Sequence, residues 1–286
     1  MRRVVFVFDP DWPEVGSTVM RGQQLSELAS ERLGRGWRVR YVPLGTDIAG
    51  SDVFLTKNAA RRLDAEGAAR LVARRNRLFV DIVDSAAPEW VREVPCTIVS
   101  SSYTSQLVAA RELPEREVVL VNHHTDPRIP ERTGPFERFR VAYVGEPFNA
   151  FLPPTVAERV EVLPVSTAEQ DPSWVPLVGE FPLHYALRTR MAQDDVKPFL
   201  KGFTAAVCGA NIVASAKDPE ARAWLGDDYP YLVPRTTQDA ALEVLDRARS
   251  DYGTARWDAA LDTMRGIAQR VTPDRIVAEL RRALSR

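Results

Sequence analysis

The stretch VVFVFDPDWPEVGSTVMRGQQLSELASERLGRGWRVRYVPL, residues 4–44, decides the fold. Residues 4–8 are five apolar residues that stop at Asp9-Pro10, too short for a helix and suited to a buried strand. A polar loop follows. Residues 21–33 then place Leu25, Leu28, Ala29 and Leu33 on one helical face. In residues 37–44, Val39, Tyr41 and Val42 mark a second strand. Strand, loop, helix and strand in that order make a βαβ unit, because parallel strands need a long crossover connection.

Working outward, the alternation continues. Strands are predicted over 52–55, 78–83, 97–100 and 118–122, and helices over 65–75, 88–91 and 105–111. Such alternation gives a mainly parallel sheet. The texture then changes. Residues 126–137, DPRIPERTGPFE, are polar and proline-rich and read as a linker. Beyond it, strands are expected at 139–144, 160–165, 181–187, 212–214 and 231–233. Helices are expected at 155–159, 200–207, 219–225, 237–249, 256–270 and 272–284. The expected architecture is α/β: two Rossmann-like domains facing a cleft, over 1–126 and 138–271, with a linker at 127–137 and a terminal helix at 272–286.

Composition narrows the function. The 286 residues carry 38 Lys plus Arg against 39 Asp plus Glu, a net charge of −1, which argues against a globally basic nucleic-acid binder. Cys96 and Cys208 lie far apart and make neither a disulfide framework nor a clustered zinc pattern, so a reducing cytosol is the expected compartment. No run approaches the ~20 apolar residues of a membrane span. The N-terminal MRRVVFVFDP ends in Asp-Pro rather than a small-residue cleavage site, and reads as a first strand rather than a signal peptide.

Several segments could carry chemistry. Gly16, Ser17 and Thr18 sit just before the first helix, where small residues expose backbone N–H groups to a phosphate or a sugar hydroxyl. The same residues could equally be a plain helix cap. His123 and His124 end the last strand of the first half and are candidate catalytic groups. Strand alternation should send their rings to opposite sides, and a base there should lose activity below pH ~6.5. Shaping a hinge is the alternative. Gly145-Glu146 makes the first β–α turn of the second half, where a glycine lets a diphosphate approach or simply turns the chain. In KPFLKGFTAAVCGANIV, residues 197–213, Lys197 and Lys201 are four apart, on one face if helical. They precede a small-residue helix that Gly209 would cap, and suit a diphosphate unless they are only a solvated pair.

This helix–Cys-Gly–strand passage resembles the nucleotide-sugar signature of glycosyltransferases with the GT-B fold. The retaining group of that family carries E-x7-E, its second Glu opening EAMACGxPVV. Cys208, Gly209 and Val213 match; Val196 and Thr204 stand where the two glutamates would be. Residues 21–42 are similar to the family's first helix and second strand, with Trp37 in place of the usual histidine. Residues 225–233 and 270–284 resemble its closing stretch. The resemblance covers most of the chain, which is short for that fold. It implies that the last helix, with Ile276, Val277, Leu280 and Leu284 in a stripe, returns to the first domain.

The function expected is a cytoplasmic hexosyltransferase-like glycosyltransferase. It would move a sugar from a nucleotide-diphosphate donor on the second domain to an unknown acceptor on the first. Its partners are the nucleotide sugar and that acceptor, with no nucleic acid. Arg188, Lys197 and Lys201 are the cations expected to stabilise the departing diphosphate, with Gly145, Glu146 and Thr204 beside the donor. No cofactor and no metal are expected, Asp9-Pro10-Asp11 reading as a turn rather than a metal pair. A catalytically silent binding protein and a nucleotide-sugar epimerase are the alternatives.

Overall fold

Continuous Val/Ile/Phe runs become central strands because strands covered by helices on both faces must be apolar on both. The computed structural model describes residues 1–130, 132, 134–166, 171–189 and 196–286. Its contacts divide the chain into two units. The first comprises Met1–His124, Val196–Pro198 and Pro273–Arg286; the second comprises Thr125–Asp195 and Phe199–Thr272.

The first unit is built on β1 (Arg2–Phe8), β2 (Trp37–Pro43), β3 (Asp52–Leu55), β4 (Arg77–Val83), β5 (Thr97–Ser100) and β6 (Glu117–Leu120). Their order is β2-β1-β3-β4-β5-β6 and every pairing is parallel. The winding reverses between β1 and β3, so the topological switch point lies where those two strands end. One helical stretch joins β1 to β2. It comprises α1 (Gly16–Thr18), a π-helical segment Val19–Gln24, and α2 (Leu25–Arg32). It begins five residues before the expected start at 21. Gly22 in the π segment is tightly packed: a Cβ there would lie 2.9 Å from the Tyr41 ring. A short α3 (Lys57–Arg62), with no counterpart among the expected elements, follows β3, and α4 (Ala65–Ala73) is N-capped by Asp64, which accepts from the Gly67 N–H at 2.7 Å. Then α5 (Tyr103–Glu112) is capped by Ser102, whose Oγ accepts from the Ser105 N–H at 3.1 Å.

The second unit repeats the plan. Its strands are β7 (Val141–Gly145), β8 (Glu161–Pro164), β9 (Leu183–Tyr185), β10 (Asn211–Ser215) and β11 (Leu232–Val233), ordered β11-β10-β9-β7-β8 and all parallel. Here the switch point lies between β7 and β9. The helices are α6 (Pro154–Ala157), α7 (Val175–Val178), α8 (Leu200–Val207), α9 (Pro219–Leu225), α10 (Gln238–Asp251) and α11 (Ala255–Arg270). Residues 131 and 133 of the proline-rich segment lie outside the described residues. The described part is anchored within this unit: Ile129 is buried, and Arg132 donates to the Gly179 carbonyl at 2.7 Å.

The last helix, α12 (Pro273–Ser285), belongs to the first unit. Ile276, Val277, Leu280, Ala283 and Leu284 share one buried cluster with Val4, Phe6, Leu25, Phe79 and Val119. Arg77 closes the helix by donating to the Leu284 carbonyl at 2.5 Å. Among the described residues, no helix is long and apolar enough to cross a membrane.

Candidate active site

In open α/β sheets, ligands bind beyond the carboxyl ends of the strands, at the switch point. In the second unit β7 ends there with Gly145, whose φ of +143° suits only glycine. A Cβ at Gly145 would lie 2.5 Å from Lys201 Nζ. Lys201, in the first turn of α8, donates to the Val144 carbonyl and lies 4.2 Å from the centroid of the Tyr143 ring. The buried Tyr143 hydroxyl donates to the Glu146 carbonyl at 3.1 Å, and Asn149 Nδ2 donates to Glu146 Oε2 at 2.8 Å. Arg188 joins this turn. It bridges Ala150, and the neighbouring Thr189 N–H donates to the Asn149 carbonyl at 3.1 Å. The structure therefore gathers Gly145, Glu146, Lys201 and Arg188 at one strand edge. Thr204 lies half-buried farther along α8. That helix needs its own glycine, because a Cβ at Gly202 would run into the Phe199 ring. Gly209, with φ +67°, ends it as expected.

Lys197 is not part of this group. The face shared by Lys197 and Lys201 required a helix through both, and α8 begins only at Leu200. Lys197 groups with the first unit. The first-loop residues also depart from the capping alternative. The cap position is Val15, whose apolar side chain can accept no hydrogen bond, and Ser17 Oγ and Thr18 Oγ1 are buried with no hydrogen-bond partner among the described residues. The Asp9-Pro10-Asp11 turn is engaged by Arg62, which donates to Asp9 at 2.7 Å and also to Asp11. Among the described residues no group of His, Cys, Asp and Glu could hold a metal ion.

The carboxyl edge of the first unit carries a buried polar network that sequence reading missed. Arg21, in the π-helical segment, is fully buried and pairs with Asp81 of β4 through Nε at 2.9 Å and Nη2 at 3.3 Å. Its Nη1 donates to the Asn122 carbonyl at 3.1 Å. Glu279 of α12 holds the same residue from the other side, accepting from the Asn122 N–H at 2.8 Å and from Nδ2 at 3.1 Å. Burial pushes the Asp81 carboxyl up, against the pull of Arg21. A π-helical turn is the one local signature here, since such turns cluster at functional sites.

His123 and His124 follow directly, and the expected alternation fails because β6 ends at Leu120, before both residues. Their rings are 5.6 Å apart and both are buried. His124 Nε2 donates to Gln24 Oε1 at 3.1 Å, so its Nδ1 is a bare acceptor, buried and without a partner among the described residues. His123 Nδ1 donates to the His124 carbonyl at 3.0 Å. Burial, then the Arg21 charge, pushes His123 down to about 3, and burial with the neighbouring His123 and Arg21 pushes His124 well below its ordinary value. The titration near 6.5 expected of a catalytic base is therefore absent from this pair. The third histidine, His184, is buried against the Val178 carbonyl at 3.2 Å and pushed down to about 4.

At its last residue β4 is strained. Val83 has φ +50°, an outlier for a β-branched residue, and the β4–β5 register shifts between Asp81 and Val83. Such a conformation costs on the order of 1–3 kcal/mol. It presents Asp84 to Lys57 Nζ at 2.8 Å, with side chains 24% and 18% exposed. Burial would raise the Asp84 carboxyl, but Lys57 and then Lys197 outweigh it and hold it low.

No protein-family model matches the sequence, and no curated protein is similar to it by sequence. Solved structures are similar to it. HepE from Anabaena, in complex with UDP, superposes with a TM-score of 0.67 at 14% identity over 100% of both chains. A glycosyltransferase from Rickettsia africae gives 0.66 at 8% identity over 99% of this chain and 97% of the other. The pneumococcal O-GlcNAc transferase GtfA, in complex with UDP and GlcNAc, gives 0.58 at 8% identity over 82% of this chain and 56% of the other. Two parallel sheets of the same strand order, with the last helix packed on the first, are thus the GT-B fold of glycosyltransferases.

Proposed function

We propose that this chain is a glycosyltransferase that takes a sugar from a nucleotide-diphosphate donor bound at the switch point of the second unit. The observation that carries the reading is the seat of Lys201: its ammonium lies at the carboxyl end of β7, where only a glycine leaves it room. With Arg188 tied to the same turn, the edge offers two cations to a leaving group that gains negative charge as the glycosidic bond breaks. HepE, of the same fold, is known with UDP bound. Uridine diphosphate is therefore the first ligand to try.

The first unit is the acceptor side in this reading. Ser17, Thr18, Asn122 and His124 each keep a buried polar atom without a partner among the described residues, which suits hydroxyl-bearing ligands or ordered water. The buried, neutral His123 and His124 shape that edge and accept hydrogen bonds rather than protons. Transfer without a metal belongs to the proposal, and activity that survives chelator would support it. The cytosol is the proposed compartment, consistent with two free thiols, Cys96 and Cys208.

The test is calorimetric titration of UDP into the wild-type and Lys201→Ala proteins. Loss of one charge-assisted contact should cost about 1.5–3 kcal/mol, roughly 10- to 150-fold in affinity. Unchanged affinity rejects the donor assignment. Val196 and Thr204, standing in place of the family's two glutamates, favour one second reading, a protein that binds nucleotide sugars without turnover. Incubation with a panel of nucleotide sugars separates the two, since only a transferase or hydrolase releases free nucleotide.

A further inference from the structure

We propose that Trp12 is a stacking platform for a sugar ring of the acceptor, so that the acceptor is a glycoside rather than a lipid or a nucleotide. The proposal rests on the reading of the first unit as the acceptor side and adds the acceptor's chemistry.

Trp12 stands apart by its exposure. All six tryptophans lie among the described residues. Trp90, Trp224 and Trp257 are buried and Trp37 and Trp174 half-buried, whereas Trp12 is 56% exposed. Tryptophan is on average kept well out of water. An indole left open presents a broad apolar face with one N–H at its rim, which suits a partner carrying both C–H and O–H groups.

The ring sits on a braced turn. Trp12 lies four residues beyond β1, at the switch point of the first sheet. Its N–H donates to the Asp9 carbonyl at 3.0 Å, and the Asp11 N–H donates to Asp9 Oδ1 at 3.1 Å. Arg62, the last residue of α3, donates to Asp9 Oδ1 at 2.7 Å and to Asp11 Oδ2. The connections that follow β1 and β3, the two strands flanking the switch point, are thereby tied together. Pro10 and Pro13 on either side have fixed φ and narrow the conformations open to the residues before them, Asp9 and Trp12. Stability does not explain the bracing, because an open ring adds little apolar burial and the half-exposed Arg62 gains little from its ion pairs. A platform ordered in advance lowers the cost of binding instead.

The surroundings select the ligand. Residues 9–20 contain no Lys or Arg, and Arg62 is committed to Asp9 and Asp11, so the turn has no cation to spend on a phosphoryl or carboxyl group. An acyl chain needs continuous apolar surface, and the ring stands between the exposed Asp11 and the exposed Pro13 and Glu14. A pyranose satisfies both sides: its C–H face covers the indole while its hydroxyls donate to Asp11. Just beyond the turn, Ser17 Oγ and Thr18 Oγ1 keep hydrogen-bonding capacity without a partner among the described residues.

Methyl β-glucopyranoside, methyl β-galactopyranoside, cellobiose, glycerol and octan-1-ol are titrated into the full-length protein, with and without saturating UDP. Binding is read by calorimetry and by acrylamide quenching of tryptophan fluorescence. At least one of the saccharides should bind and shield Trp12 from acrylamide, and neither glycerol nor octan-1-ol should. Trp12→Ala should weaken that binding about 10-fold or more. Trp12→Leu, apolar but not flat, should lose it as well, Trp12→Tyr should retain most of it, and UDP affinity should stay the same in all of these variants. If circular dichroism shows Trp12→Ala to be unfolded, Trp12→Leu takes its place. Equal saccharide binding by wild type and the Ala or Leu variant overturns the proposal, as does failure of every saccharide to bind the wild type. Shielding by octan-1-ol alone overturns it too, in favour of an acyl chain. Failure of UDP to bind would sink the donor assignment instead, and the titrations without UDP would still be readable.

Discussion

Asp81→Asn should be among the most destabilising single substitutions in the first unit. Arg21 and Asp81 are both fully buried, and the guanidinium is clamped in a fork at 2.9 and 3.3 Å. The substitution keeps the shape and one acceptor oxygen but removes the negative charge. Arginine cannot shed its own charge, so a full positive charge would be left in the core facing only neutral oxygens, the retained amide oxygen and the Asn122 carbonyl at 3.1 Å. Breaking a buried pair this way costs about 3–5 kcal/mol. For domains of this size that is roughly 10–20 °C in Tm. Replacing the pair together, as Arg21→Met with Asp81→Leu, removes both charges and should recover most of the loss. Urea denaturation of the wild type, each single variant and the double variant, followed by tryptophan fluorescence, gives the coupling energy directly. A single Asp81→Asn protein within about 1 kcal/mol of wild type would refute the argument, since it would mean that water or a shifted neighbour screens Arg21.

Other outcomes follow from the same geometry. His123, His124 and His184 are held neutral by burial, so the unfolded chain binds protons below pH ~6.5 that the folded chain refuses. Their contribution to stability is present above that pH. It is lost as pH falls towards about 3 for His123 and about 4 for His184, at up to about 1.4 kcal/mol per pH unit for each ring. Urea midpoints between pH 7.5 and 5 should fall, and His184→Gln should flatten the slope; an unaltered slope in that variant contradicts the assignment. Gly202→Ala, usually favourable inside a helix, should destabilise by about 1–3 kcal/mol, because the buried Phe199 ring already fills that space against Phe203. A Tm equal to or above wild type would count against it. Gly145→Ala should weaken UDP binding much as Lys201→Ala does, by displacing the ammonium, and calorimetry showing full affinity would separate the glycine from the lysine.

Much of the fold was legible because its signals are local. The apolar runs at β1, β3 and β4 and the stripe of α12 lie in consecutive sequence, and each element formed near its expected place. Gly145 and Gly209 were readable for the same reason: their positive φ angles are needed by the turns they occupy. Strand order was not legible. Periodicity says that strands are parallel and alternate with helices, but not that β1 lies between β2 and β3, and the switch points follow only from that order.

The first-unit site was hidden for a different reason. In sequence, Arg21 opens an amphipathic helix and looks like solvated surface, while Asp81 interrupts an apolar strand. Neither has meaning until β4 and the first helical stretch are brought together across a separation of sixty residues. The same closure engages Asn122, and with it Glu279 from the far end of the chain. His123 and His124 attracted attention as titratable groups, yet packing against Arg21 and Gln24 removes the titration that made them attractive. What the packing creates instead is a polar edge with fixed donors and acceptors. Beside it lie Lys57 and Asp84, paired at 2.8 Å just past one strained valine, and no motif marks either of them. A network assembled this way depends on backbone placement more than on residue type at neighbouring positions, which is why Arg21, Asp81 and Glu279 carry no signature in the local sequence.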